Sequence, residues 1–335
     1  MTLKACSSEI DRMLYKSIHS VFASFALAGL VTPVASATTF PVKPVKIVVN
    51  TGPGGLVDLS TRLIAEKMSE KLGQPVIVEN RPGGATLIGT RAIKNAPADG
   101  YTLLSTAGTV TILPAVKRDP GYQINDFTGI GPILRSPLLM VTSGSGPYKT
   151  LADFVKRAST NPGKMSYASG GVGTTTQIGA ALFIKQAGLD LLHIPYNGNG
   201  PAIPDVIAGR VDTIFEAYSS GAPQVKSGTL RALAVTSTVR LPNLPDVPTL
   251  QERGIKDFSY YLWTGMLAPK GTPQDVVSRL SEALHYALDS KELGERFRSD
   301  GAEPMLMQPI EFNQFLQQEA SYFEKVVTEL GIEKQ

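Results

Sequence analysis

The chain has 335 residues, 42% of them hydrophobic, and can therefore bury a core large enough for two domains of ordinary size. Its 32 basic and 29 acidic residues are mixed along the sequence and give a formal net charge of +3. Because no basic run or aromatic-interleaved basic stripe occurs, we expect no nucleic-acid partner.

The first residues have the features of an export signal. Lys16 precedes the apolar run Val21–Val31, and Ala35-Ser36-Ala37 fits a signal-peptidase cleavage site. The run is too short to span a bilayer, which takes roughly 20 apolar residues. We predict a signal peptide over residues 1–37, cleavage after Ala37 and a periplasmic location; a buried N-terminal helix is the alternative.

The same cleavage would remove Cys6, which is the only cysteine of the chain. The mature protein would then have no disulfide, no thiol nucleophile and no cysteine metal ligand. Glu9 and Asp11 are unusual before a signal's apolar run, so Met13 is an alternative start to Met1.

Strands and helices alternate along the chain, which predicts an α/β fold with mainly parallel sheets and helices on both faces. A strand from Val45 leads into the glycine turn Thr51–Asp58 and a helix with Leu59, Leu63, Ile64, Met68 and Leu72 on one face. The following strands are predicted at Val76–Glu79, Tyr101–Ser105, Ile130–Leu134 and Leu138–Thr142, with a helix at Thr86–Ala96.

A second block repeats this order. Its predicted strands are Met165–Ser169, Leu192–Tyr196, Asp212–Ala217 and Leu230–Thr236, and its helices are Gln177–Ala187 and Ala202–Ala208. The strand Phe258–Ala268 then returns to the first domain, followed by amphipathic helices at Pro273–Leu288 and Ile310–Leu330. We therefore predict a discontinuous first domain, residues 38–137 plus 264–335, and an inserted second domain, residues 138–263.

The first candidate site is the turn that contains Gly54 and Gly55, followed by Leu56, Val57 and Asp58. Glycines let a ligand approach the main chain closely, and the start of a helix presents free N–H groups that attract an anion. An ordinary tight turn with Asp58 as a helix cap is the alternative.

The second candidate lies one strand later, at Gly84, Ala85 and Thr86. Its order of strand, glycines and helix is the same, so it also predicts an anion site. Arg81 before the turn is a candidate carboxylate clamp, although it could equally pair with Glu79 or Asp99 on the outside.

The third candidate comes from the second domain. Ser169, Thr174 and Thr175 bring hydroxyls and N–H groups to a helix start, and one threonine is expected to cap that helix. Thr109, with Thr106 and Gly108, is a weaker version of the same pattern. Glu216 and Tyr218 lie at a strand end, where they would accept a ligand hydroxyl or ammonium or else form a solvent-facing edge.

The sequence disfavours catalysis. After signal cleavage, His193 and His285 are the remaining histidines, and their positions in a buried strand and a helix favour structural roles. The sequence contains no nucleophile elbow, Walker lysine or His-x-x-x-His pair. We expect no cofactor and no metal.

Several short motifs follow one another in an order similar to that of the Bug receptors, the periplasmic solute receptors of tripartite tricarboxylate transporters. They cover nearly everything after residue 40 and include Pro53-Gly54-Gly55, Leu72-Gly73-Gln74-Pro75, Glu79-Asn80-Arg81-Pro82-Gly83, Ala98-Asp99-Gly100-Tyr101, Asn161-Pro162-Gly163, Ile194-Pro195-Tyr196, Leu230–Thr236, Leu244–Thr249, Ala268-Pro269 and Gly271-Thr272-Pro273.

The resemblance implies a Venus-flytrap fold that closes on a small organic acid and delivers it to inner-membrane carrier subunits. In this family, main-chain amides and ordered waters at the first two glycine loops hold one ligand carboxylate. Carried over, the ligand-binding residues would be Gly54, Gly55, Leu56, Val57, Gly84, Ala85, Thr86, Ser169, Thr174, Thr175 and residues near Glu216; the sequence pattern alone adds Thr109.

The chain departs from the family's pattern around these loops. Asn50, Thr51 and Gly52 stand where an aromatic and prolines are usual, and Leu56-Val57 replace small or polar residues. Further departures are Gln177-Ile178 for a histidine, Asn197 for a lysine and Glu216 for an aspartate. These changes indicate a pocket of different size and polarity.

The sequence thus predicts a monomeric, non-catalytic receptor for a small carboxylate. Two alternatives remain open: a ligand-sensing co-receptor that docks on a sensor kinase, and a cleft enzyme that acts on a small acid.

Overall fold

The computed structural model describes residues 40–299 and 301–335. The predicted signal peptide, its cleavage site and Cys6 lie outside the described residues. Phe40–Gln335 form one compact unit. Within the described part of the chain, no helix has the length and apolarity needed to cross a membrane.

One end of the unit, here called the first lobe, is built on three parallel strands. Strand β1 (Val45–Val49) lies between β2 (Val76–Asn80) and β3 (Thr102–Ala107). Helices α1 (Leu56–Leu72), α2 (Leu87–Lys94) and α3 (Thr109–Val116) follow these strands in turn. Each helix begins at the carboxyl edge of the sheet, so the three strand-to-helix turns lie side by side.

Helix α1 shows why these segments fold as they do. Val57, Ile64 and Met68 recur at helical spacing and are buried against the sheet. Leu59, predicted on that face, is 48% exposed because a position two residues from Val57 turns to the opposite side of a helix. The helix ends at Gly73, whose φ of 68° is the left-handed conformation that glycine adopts easily.

The two lobes share the long strand β4 (Phe127–Ser143). The sequence predicted two short strands here, Ile130–Leu134 and Leu138–Thr142. The structure corrects this: β4 is continuous, with register shifts between Gly129 and Gly131 and between Pro132 and Leu134. It pairs with β9 (Tyr261–Pro269) up to Pro137 and with β7 (Thr213–Ala217) from Leu138 onward.

The other end, the second lobe, repeats the parallel arrangement. Strand β5 (Ser166–Ser169) lies between β6 (Leu192–Pro195) and β7 (Thr213–Ala217), and β8 (Leu230–Val235) pairs antiparallel with β4. Its helices are α4 (Leu151–Thr160), α5 (Thr175–Gln186), α6 (Ile203–Ile207) and α7 (Tyr218–Lys226).

The C-terminal segment packs on the first lobe. It consists of α8 (Gln274–Leu288), α9 (Lys291–Ser299), the short strand β10 (Glu303–Pro304) and α10 (Pro309–Glu329). Phe312, Leu316 and Phe323 of α10 are buried in a core that also contains Val110 and Leu113 of α3. The sheet order β2-β1-β3-β9-β4-β7-β5-β6 is thus parallel at both ends and antiparallel at the shared centre. The domain boundaries at 137/138 and 263/264 stay a proposal.

Candidate functional site

The first glycine turn joins β1 to α1. The N–H of Gly54, whose φ is 82°, donates to Asp58 Oδ2 at 2.9 Å. Gly54 therefore shapes the turn, and its N–H is not free for a ligand. The N–H groups of Gly55, Leu56 and Val57 have no acceptor among the described residues, as is usual for the first turn of a helix.

The buried side chain of Asp58 stabilises this turn. Its carboxylate is 2% exposed and also accepts Arg62 Nε at 3.0 Å and Asn80 Nδ2 at 2.9 Å. Burial works to raise the pKa of Asp58, but the hydrogen bonds from Gly54, Arg62 and Asn80 outweigh it and lower the pKa. The charged carboxylate thus fixes the turn and is fully used within the first lobe.

The second glycine turn joins β2 to α2 and is conformationally strained. Ala85 and Thr86 have φ values of 52° and 81°, in the left-handed region that residues with a side chain rarely adopt. Such residues cost about 1–3 kcal/mol each and cluster at functional sites. The N–H groups of Gly84, Ala85 and Thr86 have no acceptor among the described residues.

The Arg81 side chain before this turn pairs with Glu79. Its Nε donates to Glu79 Oε1 at 2.6 Å, and Lys46 Nζ lies 3.0 Å from Glu79 Oε2. These side chains are partly exposed, so the pairing with Glu79 is the correct interpretation and a carboxylate clamp is not supported.

The third turn connects β3 to α3 and touches the second lobe. Gly108 donates its N–H to Trp263 O, and a Cβ placed on Gly108 would lie 3.2 Å from Thr175 Cγ2. Thr109, 5% exposed, is the first residue of α3. Asn50 ties the first turn to this point, because its Nδ2 donates to Thr106 Oγ1 at 2.8 Å.

In the second lobe, the turn from β5 to α5 is held by its own side chains. Thr174 caps α5, as expected for one threonine of the run: its Oγ1 accepts Gln177 N and donates to Gly171 O at 2.8 Å. Gly173 packs on α3, since a Cβ there would lie 2.3 Å from Val116 Cγ2. The N–H of Thr175 has no acceptor in the described structure.

Ser169 is buried beneath this turn. Its Oγ lies 2.7 Å from His193 Nε2, and it accepts Gly171 N–H at 3.1 Å. Burial lowers the pKa of His193 to about 4, so the ring is neutral at pH 7. With 0% of Ser169 exposed, this serine–histidine pair is out of reach of a substrate.

A chain of hydrogen bonds runs from this turn to Glu216. Thr176 Oγ1 donates to Asn199 Oδ1 at 3.0 Å, and Asn199 Nδ2 donates to Glu216 Oε2 at 2.8 Å. Ser220 Oγ and Ala217 N–H donate to Glu216 Oε1. Burial raises the pKa of Glu216. The carboxyl is neither a solvent-facing edge nor free to accept a ligand, because three donors already occupy it.

Two further residues take structural positions. Tyr218 is 2% exposed and packs against Gly301, and His285 Nε2 lies 3.1 Å from Met307 O. Among the described residues, no group of three or more histidine, cysteine, aspartate or glutamate side chains is placed to hold a metal ion. Two surface depressions of about 280 and 210 Å³ lie beside α8, away from the glycine turns.

The three first-lobe turns lie side by side, and the third of them contacts the β5–α5 turn of the second lobe. Free N–H groups come from Gly55 to Val57, Gly84 to Thr86, Thr109 and Thr175, all at strand-to-helix turns. Sequence reasoning missed Asn50 and Thr51, although their departure from the family's pattern marked them. Both are polar residues whose buried side-chain oxygens, Asn50 Oδ1 and Thr51 Oγ1, have no hydrogen-bond partner.

Comparison with known proteins shows which family this chain resembles. The family model described as tripartite tricarboxylate transporter family receptor matches residues 60–332. The UPF0065 protein in the tcbD-tcbE intergenic region of Pseudomonas sp. strain P51 is 35% identical over 312 residues, which cover 90% of this chain and 93% of that protein.

Solved structures agree. The periplasmic binding protein BugD superposes with a TM-score of 0.82 at 33% identity, over 88% of this chain and 100% of that one. Rpa4515 of R. palustris, solved with adipate, gives a TM-score of 0.83 at 30% identity with the same coverage. The two-domain α/β fold and the resemblance to Bug receptors are thus confirmed. The chain belongs to the tripartite tricarboxylate transporter receptor family.

Proposed function

We propose that this protein is a periplasmic receptor that binds a small organic carboxylate between its two lobes and delivers it to inner-membrane carrier subunits. The observation that carries the proposal is the meeting of unpaired main-chain N–H groups at several helix starts. Each such N–H attracts negative charge, and the dipole of its helix adds about 0.3–1 kcal/mol per favourable contact. Adipate in the related Rpa4515 supports a carboxylate as the bound group.

The ligand's carboxylate would be held by the N–H groups of Gly55, Leu56 and Val57 and of Gly84, Ala85 and Thr86. Thr109 and Thr175, which lie at the contact between the lobes, would close over it. Gly54, Ser169, Thr174 and Glu216 would then support the site through the hydrogen bonds they already make. Ligand binding would favour the closed arrangement, because residues of both lobes contribute to it.

No observation favours catalysis over binding. The Ser169–His193 pair is the nearest approach to a nucleophile and its base, and Ser169 has no exposed surface. A receptor that keeps its ligand unchanged explains the N–H groups without requiring a base. We also propose a monomer, since a site between two lobes of one chain is complete without a second copy.

A binding panel tests this function. Mono-, di- and tricarboxylates, amino acids and aromatic acids would be screened by thermal shift and followed by calorimetry. A bound acid at about 100 times its dissociation constant should stabilise the fold by roughly 2.7 kcal/mol. If no acid in the panel shifts the melting temperature, the proposed function is wrong.

A pair of glycine variants locates the site. A Cβ on Gly55 would meet Gly52 O at 3.9 Å and no nearer atom, so Gly55→Leu should fold while its side chain blocks the N–H groups, and it should abolish binding. Gly52→Leu is the matched control, because a Cβ there meets nothing within 4 Å. If both variants bind the ligand with equal affinity, this turn is not part of the ligand site.

A further inference from the structure

Trp263 on the shared strand β9 holds the first residue of the third turn in two ways. Its main-chain O accepts the N–H of Gly108 at 3.2 Å, and its indole ring lies against the same residue. A Cβ placed on Gly108 would come within 2.9 Å of Trp263 Nε1. Gly108 is also the point at which this turn meets Thr175 of the second lobe, and Thr109 follows it directly. The position of Trp263 therefore determines where the Thr109 N–H and this contact between the lobes lie.

The C-terminal helix α10 orients the ring of Trp263. Trp263 Nε1 donates to Glu319 Oε2 at 2.9 Å. Phe312 and Phe315 of the same helix pack edge-on against the indole, with ring centroids 5.8 and 5.4 Å away. Because Trp263 is 4% exposed, its N–H needs a partner inside the protein, and Glu319 is that partner. Aromatic packing tolerates several orientations, whereas the hydrogen bond requires one.

Glu319 is in an unusual setting for a carboxylate. It is partly buried, and within the described part of the chain it forms no ion pair. Burial raises the pKa of Glu319, and the N–H of Trp263 opposes this rise by stabilising the ionised form. A partly desolvated carboxylate without a cation adds little to stability. As a charged acceptor, however, it gives the indole a strong and directional hydrogen bond.

We propose that Trp263 and Glu319 are positioning residues for ligand binding. The hydrogen bond between them holds the third turn so that the Thr109 N–H and the contact between Gly108 and Thr175 form as the lobes close on the ligand. The proposal rests on the proposed function and adds that affinity depends on α10, a helix that contributes none of the N–H groups at the four turns. Neither Trp263 nor Glu319 touches the ligand.

Hydrogen exchange on the unliganded protein tests the positioning of the turn. Glu319→Leu removes the acceptor of the indole N–H, so amide exchange over residues 107–113 should rise by at least about threefold. Exchange over residues 59–66 of α1 should stay as in the parent. Glu319→Gln keeps an oxygen acceptor and should remain close to the parent in both segments. Glu324→Leu, which removes an exposed carboxylate from the same helix, is the matched control and should change neither.

Fluorescence gives a second reading at the same place. Trp263 is the only tryptophan of the chain, so its emission reports on this contact alone. Glu319→Leu should change the emission of the unliganded protein, whereas Glu324→Leu should not. Saturation of the parent with its acid should also change the emission, because Thr175 meets Gly108 beside the ring.

Calorimetric affinity for the tightest acid of the panel tests the consequence for binding. Glu319→Leu and Trp263→Phe should each weaken binding by about three- to tenfold, because each breaks the same hydrogen bond. The double variant should bind no more weakly than the worse single variant, since both changes remove one shared interaction. Glu319→Gln should retain most of the affinity of the parent.

The outcomes are distinct. Affinity, exchange and emission like those of the parent in Glu319→Leu, losses that add in the double variant, or faster exchange throughout the protein would overturn the positioning role and leave a carboxylate receptor intact. If Glu319→Leu does not fold, Trp263→Phe carries the test, because it keeps an aromatic ring on β9. If the parent binds no acid of the panel, the proposed function is wrong and this proposal fails with it.

Discussion

In the second lobe, the hydroxyls of Ser169, Thr174 and Thr176 all hydrogen-bond inside the protein. In the first lobe, those of Thr51 and Thr86 are buried without a partner. Both lobes place these residues at turns from a strand into a helix. Similar local sequence therefore leaves the hydroxyls hydrogen-bonded in one lobe and without a partner in the other. The difference lies in contacts with distant parts of the chain.

This contrast suggests different roles for the two lobes: the second-lobe turn stabilises the fold, and the first-lobe turns bind the ligand. The second-lobe turn is stabilised by its own network, which ends at Glu216, and it can meet the first lobe without reorganising. The first-lobe turns hold unpaired N–H groups and two left-handed residues, Ala85 and Thr86, in a geometry that costs free energy without a ligand. Changes in the second-lobe network should therefore lower stability, and changes in the first-lobe turns should lower affinity.

The largest effect is expected at Glu216. Glu216→Ala empties a buried carboxyl site and leaves the Ala217 N–H and one N–H of Asn199 Nδ2 without their acceptor, while Ser220 Oγ keeps Ala217 O as an acceptor. We expect the free energy of unfolding to fall by about 3–5 kcal/mol, measured by urea denaturation.

An exposed glutamate gives the control for this loss. Glu303 pairs with Arg135, and both side chains are about half exposed, so Glu303→Ala should cost less than about 1 kcal/mol. A loss no larger at Glu216 than at Glu303 would show that the second-lobe network does not stabilise the fold.

The next effect is a pH dependence from His193. Its folded pKa of about 4 lies below the ordinary value of 6.5, because burial disfavours the charged ring. The unfolded chain therefore binds the proton more readily, and stability should fall as the pH drops from 6.5 toward 4, by about 2–3 kcal/mol in unfolding free energy.

His193→Gln isolates this contribution, since glutamine does not titrate. Glu216 acts in the opposite direction: burial raises its pKa, so its protonation favours the folded state as the pH falls. The unfolding free energy of the parent minus that of His193→Gln, both measured by urea denaturation, should still decrease from pH 7 to pH 4. A difference that is constant with pH would contradict a buried neutral His193.

The contrast also shows what the sequence could and could not predict. The order of strand, glycines and helix is local, and it located all four turns, because glycine and helix-start preferences act within a few residues. Which polar groups are used internally depends on distant partners. Asn50 meets Thr106 across 56 positions, and Ser169 meets His193 across 24.

Strand β4 shows the same limit at the level of the fold. The sequence predicted two strands with a break before Leu138, but β4 is continuous: register shifts against β9 lie on both sides of Pro132, and Pro137 is paired with Tyr261. The continuity of β4 therefore depends on pairing with β9, which lies more than a hundred residues later in the sequence. Local sequence predicts a helix or strand well where residues adjacent in sequence determine it. It predicts poorly where pairing with a distant strand determines it.

The smallest expected change in free energy concerns a single N–H group of the first-lobe turn. Leu56 is the first residue of α1, and Gly55 before it has φ −82° and ψ 170°, a conformation compatible with a following proline. Leu56→Pro removes an N–H that has no acceptor in the described structure, so no internal hydrogen bond is lost. Affinity for the tightest acid of the panel should fall by roughly tenfold to a hundredfold, the cost of one charge-assisted hydrogen bond of about 1.5–3 kcal/mol.

Leu56→Ala is the matched control, because it removes the same side chain and keeps the N–H. The two variants should have similar melting temperatures without ligand and differ in calorimetric affinity. Thr175→Pro repeats the change at the first residue of α5, after Thr174 with φ −79° and ψ 152°. If the main-chain N–H groups of the first lobe carry recognition, Leu56→Pro weakens binding more than Thr175→Pro does. An equal or reversed order would mean that the second lobe holds the carboxylate, and would exchange the roles of the two lobes.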